Sequence, residues 1–410
     1  MIKKIVVEVP VSWTKNPVDG HKHKRFIANL IIALTERKIP LYFREVYFGA
    51  DNAPRLPEKH TLVFSYHSWG SEKNVLKMKE APVTPLFSID QTGYSGWADI
   101  VTNYQKYSDE IDKITDAEAC SILDFWKNHF LITNESKYPQ PEVVVDEKFQ
   151  NYVFYPMQVQ NDPVAVHSEI NGLDLLIEAA SFAEKNQIFL LVKRHPFCQS
   201  YAVEENLALL QKQNPWVIKV ESNVHQLIRQ AKSVITINSG VGIEALIDGA
   251  SVFCAGKCEW HAACNPINDF SDLELAFTIQ PPKMNNRQKK ILAFLLTKYW
   301  VNPEKPENFD YFIDKAFDAY DPQFGISEIS TSASEVLLPV ILDLQGKLEY
   351  EKRKATQSTL DIYASIDINE TLKKDIKQLE LQLHEYIERL RQSEDELEQL
   401  KNRFRNELMN

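Results

Sequence analysis

The sequence predicts an α/β protein: a pair of Rossmann-like domains followed by a helical extension that ends in a coiled coil. Three observations carry that prediction. The chain has 410 residues, more than the roughly 250–300 at which a single hydrophobic core stops growing. Short apolar runs alternate with helical patterns through most of its length, which is the logic of βαβ units. Near the C-terminus the pattern changes to a seven-residue repeat.

Taken in order, residues 5–9 read as a first buried strand, 25–34 as a helix and 61–65 as another strand. Pro139-Gln140-Pro141 marks a break. Beyond it, strands are read at 152–156, 188–193, 217–220, 233–237 and 251–254, and helices at 173–185, 225–230 and 241–247. Strands so regularly separated by helices imply a mainly parallel sheet covered on both faces. Residues 287–299 and 309–319 read as closing helices, and 325–334 as a small, polar linker. The expected organisation is an N-terminal domain over 1–150, a second domain over 151–290, closing helices and linker over 291–334, and a helical extension over 335–410.

Within that extension Ile376, Leu383, Leu390, Leu397 and Phe404 fall seven apart, and Leu372, Leu379, Tyr386, Ser393 and Leu400 form a second row. This is an a/d seam across 372–404. An isolated helix with such a stripe leaves a long apolar face in water, so a homo-oligomer joined through the coiled coil is expected. Packing of the stripe back onto its own body is the alternative.

The 44% hydrophobic content is that of an ordinary folded protein. There is no long apolar run, and the charged start at Met1-Ile2-Lys3-Lys4 does not suit a signal peptide. A formal net charge of −11 argues against a chain that coats nucleic acid, so no nucleic-acid partner is expected and any phosphate site must be local. The five cysteines (Cys120, Cys198, Cys254, Cys258 and Cys264) are an odd number, which favours reduced thiols in the cytoplasm; peripheral membrane attachment stays open. Cys254, Cys258, His261 and Cys264 lack the spacing of a common structural zinc site, and core or loop thiols are the better reading. Neither metal nor other cofactor is expected.

The strongest local constellation is Lys193-Arg194-His195-Pro196, where a strand ends at the edge of the sheet at which open α/β folds bind ligands. Lys193 and Arg194 supply charge, His195 can donate to a phosphate oxygen, and Pro196 stops the strand. Alternation sends Lys193 and His195 to one side and Arg194 to the other. A solvated basic strand end is the plainer alternative. The second constellation is Asn238-Ser239-Gly240-Val241-Gly242-Ile243-Glu244, a strand–turn–helix whose first free N–H groups suit a phosphate. Ser239 can add a hydroxyl, and Glu244 can accept from sugar hydroxyls or merely complement the helix dipole.

Lys-x-His-Pro at a strand end, followed by Asn-Ser-x-x-Gly-x-Glu-Ala-Leu, resembles the donor half of the capsule polysaccharide biosynthesis family, which includes Kdo transferases. The segment 153–162 is similar to that family's entry to the same half. The resemblance implies a glycosyltransferase of the GT-B type, expected to be metal-independent because fixed donors neutralise the phosphate and no Asp-x-Asp motif appears near the proposed phosphate site. Its donor would be a nucleotide sugar, CMP-linked with Kdo or a related acidic sugar favoured, and its acceptor a surface polysaccharide or glycolipid. In that reading Lys193, Arg194, His195, Pro196, Ser239, Gly240, Gly242 and Glu244 hold the donor nucleotide. By the same resemblance Asp90, which follows an apolar strand and precedes Gln91-Thr92-Gly93-Tyr94, would be the catalytic carboxylate; capping its own turn is the competing role. His21, His23, His67 and Trp69 are weaker candidates for acceptor contacts. A UDP-sugar or CDP-polyol donor, or a non-catalytic coiled-coil scaffold, are the other readings.

Overall fold

The computed structural model describes residues 1–10, 21–46, 57–160 and 162–325, with scattered helical positions between 377 and 392. Apart from Leu379, every position of the heptad seam lies outside the described residues, as does most of the proposed linker.

Two six-stranded sheets form the body, with orders β12-β5-β4-β3-β1-β2 and β11-β10-β9-β6-β7-β8. The first contains β1 (Lys4–Pro10), β2 (Leu41–Val46), β3 (Thr61–Tyr66), β4 (Val75–Glu80), β5 (Phe87–Asp90) and the late β12 (Trp300–Val301). The second contains β6 (Tyr152–Pro156), β7 (Leu190–Lys193), β8 (Val217–Lys219), β9 (Ala231–Thr236), β10 (Ser251–Cys254) and β11 (Asn265–Pro266). The second sheet is parallel throughout. The first is mixed, because β5 runs antiparallel to both β4 and β12.

Alternation along β6 explains how the second sheet is covered. Tyr152 and Phe154 face a core that contains α5 (Val224–Gln230) and α6 (Val241–Asp248). Val153 and Tyr155 face the opposite core, with α3 (Gly172–Asn186) and α4 (Tyr201–Gln213). Successive side chains of a strand point to opposite faces, so one apolar run serves two layers. In the first sheet α1 (His21–Thr35) buries Phe26, Leu30 and Leu34 against β1, β3 and β5.

Between the strands of the two sheets in the chain comes α2 (Asp116–Thr133), which starts at a capping box: Thr115 Oγ1 accepts the Glu118 N–H at 3.2 Å and the Glu118 carboxylate accepts the Thr115 N–H at 2.8 Å. This arrangement satisfies two otherwise orphaned donors. After the second sheet, α7 (Asn286–Phe294) packs on α2, and the chain then crosses back. Trp300 and Val301 pair with Ser88 and Phe87, and α8 (Asp310–Asp318) buries Phe312 and Ile313 in the core of the first sheet. The two-residue strand at 300–301 was not expected from the sequence.

Candidate functional site

In the second sheet β6 lies between β7 and β9, so the strand order reverses there and leaves a crevice beyond the carboxyl ends of the strands. The turns after β6, β7 and β9 all open into one cleft of about 1060 Å³, whose far wall is the first domain. His23, His67, Lys79, Glu80, Tyr94 and Ser95 belong to that far wall, and residues 134–141 of the inter-sheet segment close one side.

Lys193, Arg194, His195 and Pro196 line the cleft, but their side chains do different things. The Lys193 ammonium donates to the carbonyls of Glu221 at 3.2 Å and Ser222 at 2.8 Å, fixing the loop after β8. Arg194 turns to Glu204 on α4 and to the carbonyls of Cys198 and Ser200. His195 Nδ1 accepts the Phe197 N–H at 3.1 Å, which puts the proton of the neutral ring on Nε2, a donor with no partner among the described residues. Burial, partly offset by Asp162, holds the imidazole below its ordinary value and so keeps it neutral. Tyr138 meets the ring edge-on at 4.9 Å and limits its rotation.

Ser239 and Gly240 also line the cleft, at the start of α6. Ser239 Oγ accepts the Val241 N–H at 3.4 Å. A side chain on Gly240 would meet Pro82 of the facing domain at 3.3 Å, so glycine permits that close approach. Gly242 is not on the cleft: a Cβ there would sit 2.4 Å from the indole of Trp260, and the residue serves helix packing instead. Glu244 reaches the cleft, although it is only 2% exposed, and accepts the Ser136 hydroxyl at 2.7 Å.

Asp90 is in the first domain and does not line this cleft. Its Oδ1 accepts the N–H groups of Thr92 at 2.7 Å and Gly93 at 2.9 Å, while Oδ2 accepts the Tyr299 hydroxyl. Burial pushes the carboxyl up, against those hydrogen bonds. The contacts are those of a turn cap joined to the returning C-terminal segment. Trp69 is likewise absent from the cleft; it stacks on Trp97 at 4.4 Å, and Trp97 meets His167 of the second domain edge-on at 4.3 Å. That stack bridges the domains. The His21 side chain lies outside the described residues.

Sequence reasoning missed the charged cluster that faces His195 across the cleft. At the end of β4, Lys79 and Glu80 point inward beside His67, and Lys137, Asp162 and Glu259 converge on them. Burial alone would raise the Glu80 carboxyl, but Lys79 and Lys137 outweigh it and hold it well below the usual range. Burial raises Glu259, opposed by the nearby backbone N–H groups of its own residue and of Ser95. Burial, then Lys79, takes the His67 ring down to about 3. Two carboxyls pushed in opposite directions in one cleft are suited to distinct acid and base tasks. The available signal was position: Lys79-Glu80 ends a strand and Lys137-Tyr138 precedes the Pro139-Gln140-Pro141 break.

Among the described residues, no group of three or more His, Cys, Asp or Glu side chains is arranged to hold a metal ion, and Cys254, Cys258 and Cys264 are buried free thiols. No described helix is long and apolar enough to cross a membrane.

Two α/β sheets face one cleft at a topological switch point, the position at which open α/β folds take their ligands. The family described as capsule polysaccharide biosynthesis protein matches residues 49–263, more than half of the chain, and this chain belongs to that family. Protein FixF of Sinorhizobium fredii is 32% identical over 180 residues, which are 42% of this chain and 43% of that protein. The capsule polysaccharide export protein KpsS of Escherichia coli is 29% identical over 139 residues, 31% of this chain and 35% of its own. The chain thus matches less than half the length of either relative. Among solved structures, the beta Kdo 2,4 transferase of Thermosulfurimonas dismutans KpsC superposes with a TM-score of 0.43 at 16% identity, covering 77% of this chain and 98% of that one. The beta Kdo 2,7 transferase of the same protein gives 0.42 at 15%, covering 73% and 92%.

Proposed function

We propose that this chain is a glycosyltransferase of the GT-B type that moves a sugar from a nucleotide-linked donor to a surface polysaccharide or glycolipid acceptor. A CMP-linked acidic sugar such as Kdo is the favoured donor. The observation that carries this reading is the convergence, in one cleft, of the His195 Nε2 donor, the Ser239–Gly240 helix start and the buried carboxylate of Glu244.

In this reading the donor phosphate lies between His195 and the first N–H groups of α6, where fixed donors neutralise the charge left on the departing nucleotide. Glu244 accepts from the ribose. The transferred sugar extends toward Glu80, Asp162 and Glu259, with Lys79 and Lys137 compensating their charge. Glu80, kept ionised, suits the base or nucleophile role, and Glu259 suits the acid role. Asp90 supports the 91–97 loop that forms one wall. Supporting this reading is the cleft's size, at the upper end of the roughly 300–1,000 Å³ usual for ligand sites, which leaves room for donor and acceptor together.

The catalytic part of the proposal is tested by incubating the full chain with a CMP-linked sugar and measuring released CMP. Release above the blank that Glu80→Gln suppresses supports it; bound nucleotide with no release would assign the cleft a binding role only.

The extension is proposed to join copies of the chain through its heptad seam at 372–404. Removing residues 335–410 is expected to lower the particle mass measured by light scattering to that of a single shortened chain. An unchanged number of chains per particle would contradict the seam. The working location proposed is the cytoplasm, at the inner face of the membrane.

A further inference from the structure

The short helix α5 contributes a buried residue that the donor site as described does not use. His225 is 4% exposed and stands beside Glu244, with Nε2 3.4 Å from Glu244 Oε2. Its other nitrogen, Nδ1, is 2.9 Å from Asn134 Oδ1. That oxygen also accepts the Asn223 side-chain amide at 3.2 Å, which sets it as the acceptor and makes His225 Nδ1 the donor. Phe130 stacks on the imidazole at 5.3 Å and closes its face.

The ring is therefore fixed on three sides. Asn134 is held in the left-handed region, φ 51°, at the end of α2, so its position belongs to the backbone. Asn223 caps α5 by accepting the N–H of His225 at 2.9 Å. Nε2 and Oε2 face each other at ion-pair distance, and both side chains are almost fully buried. Among the described residues Glu244 Oε2 and His225 Nε2 make no aligned hydrogen bond with each other or with another group and meet only at ion-pair distance, whereas Oε1 accepts the Ser136 hydroxyl at the wall of the cleft.

A buried His–Glu pair is weak as a stabilising device, since apolar side chains of similar volume often serve the fold equally well. Its consequence here is geometric: one carboxylate oxygen is anchored and the other is presented. We propose that His225 is a positioning residue, which locks Glu244 through Oε2 so that Oε1 meets the vicinal hydroxyls of the donor's ribose. The proposal rests on the nucleotide-donor reading. Ser136 holds the place on Oε1 that a ribose hydroxyl joins or takes over.

The test uses the full chain and two probes, CMP and 2′,3′-dideoxy-CMP, titrated against wild type, His225→Phe and His225→Gln. Wild type is expected to prefer CMP by about tenfold or more, the scale of hydrogen bonds to a charged group. His225→Phe should remove most of that preference by weakening CMP alone, with dideoxy-CMP unchanged. His225→Gln, which keeps a donor, should recover part of it. A loss shared equally by both probes, or a full preference in His225→Phe, overturns the positioning role. If His225→Phe does not fold, Asn134→Ala carries the same expectation, since it frees the outer nitrogen of the ring. Failure of folded wild type to bind CMP is a different result: it removes the nucleotide reading, and this inference with it.

Discussion

Tyr299→Phe is expected to destabilise the protein by about 3 kcal/mol while leaving its affinity for nucleotides unchanged. The Tyr299 hydroxyl donates to Asp90 Oδ2 and accepts the Ile100 N–H at 3.1 Å. Its removal leaves a buried carboxylate oxygen and a buried N–H without that partner. Asp90 is 5% exposed and Tyr299 8%. The same contact ties the segment that returns from the second sheet to the turn after β5, so its loss loosens the seating of β12 and α8 as well. Chemical denaturation measures the stability and calorimetric titration the affinity. A variant with normal stability but no transfer would place Asp90 and its partner in the chemistry, as the family resemblance alone implies.

Gly242→Ala should cost about 1–3 kcal/mol, the scale of overpacking in a filled interior. The new methyl group would lie 2.4 Å from Trp260 Cη2 and 3.0 Å from Cζ2. Trp260 is 1% exposed and belongs to the large shared core, so the indole has nowhere to retreat without moving neighbours. A thermal midpoint several degrees lower is the expected readout. Placing the substitution in a Trp260→Phe background should reduce its cost, because the smaller ring leaves space; an equal cost in both backgrounds would mean that the clash is relieved elsewhere. Because α6 also presents Ser239 and Gly240 to the cleft, nucleotide affinity should fall with stability in the single variant.

Much of the second sheet was legible because its strands are buried on both faces and read as unbroken apolar runs. Residues 152–156 and 251–254 coincide with β6 and β10. The first sheet was harder. β4, Val75-Leu76-Lys77-Met78-Lys79-Glu80, carries three charges and looks like a solvated stretch. Lys77 is nevertheless 1% exposed, and its ammonium is satisfied by the carbonyls of Glu72, Val75 and Gln91. No local pattern announces a lysine whose partners lie in its own strand, in the loop before it and in the turn after β5. The late strand at Trp300 escaped for a related reason: two residues cannot show a period, and their pairing with β5 is a long-range contact.

The same distinction governs the site. His195, Ser239 and Glu244 were legible because each follows directly from a strand end or a helix start, and those positions are set locally. Asp90 has the same local appearance, yet its surroundings are set by Tyr299, far along the chain, which turns the carboxylate inward. The cluster of Glu80, Lys137, Asp162 and Glu259 draws single residues from four separate segments. Only folding brings them together.

The central claim, that the cleft takes a nucleotide-linked donor through His195, is tested most directly by isothermal titration of CMP, CDP, UDP and GDP against wild type and His195→Ala. The account predicts selective binding of CMP, weakened by about 10–100-fold in the variant, the scale expected for one charge-assisted hydrogen bond to phosphate. Preference for another nucleotide with the same dependence on His195 would keep the site and change the donor. No binding of any nucleotide by folded wild type, or equal binding by both proteins, would contradict the claim.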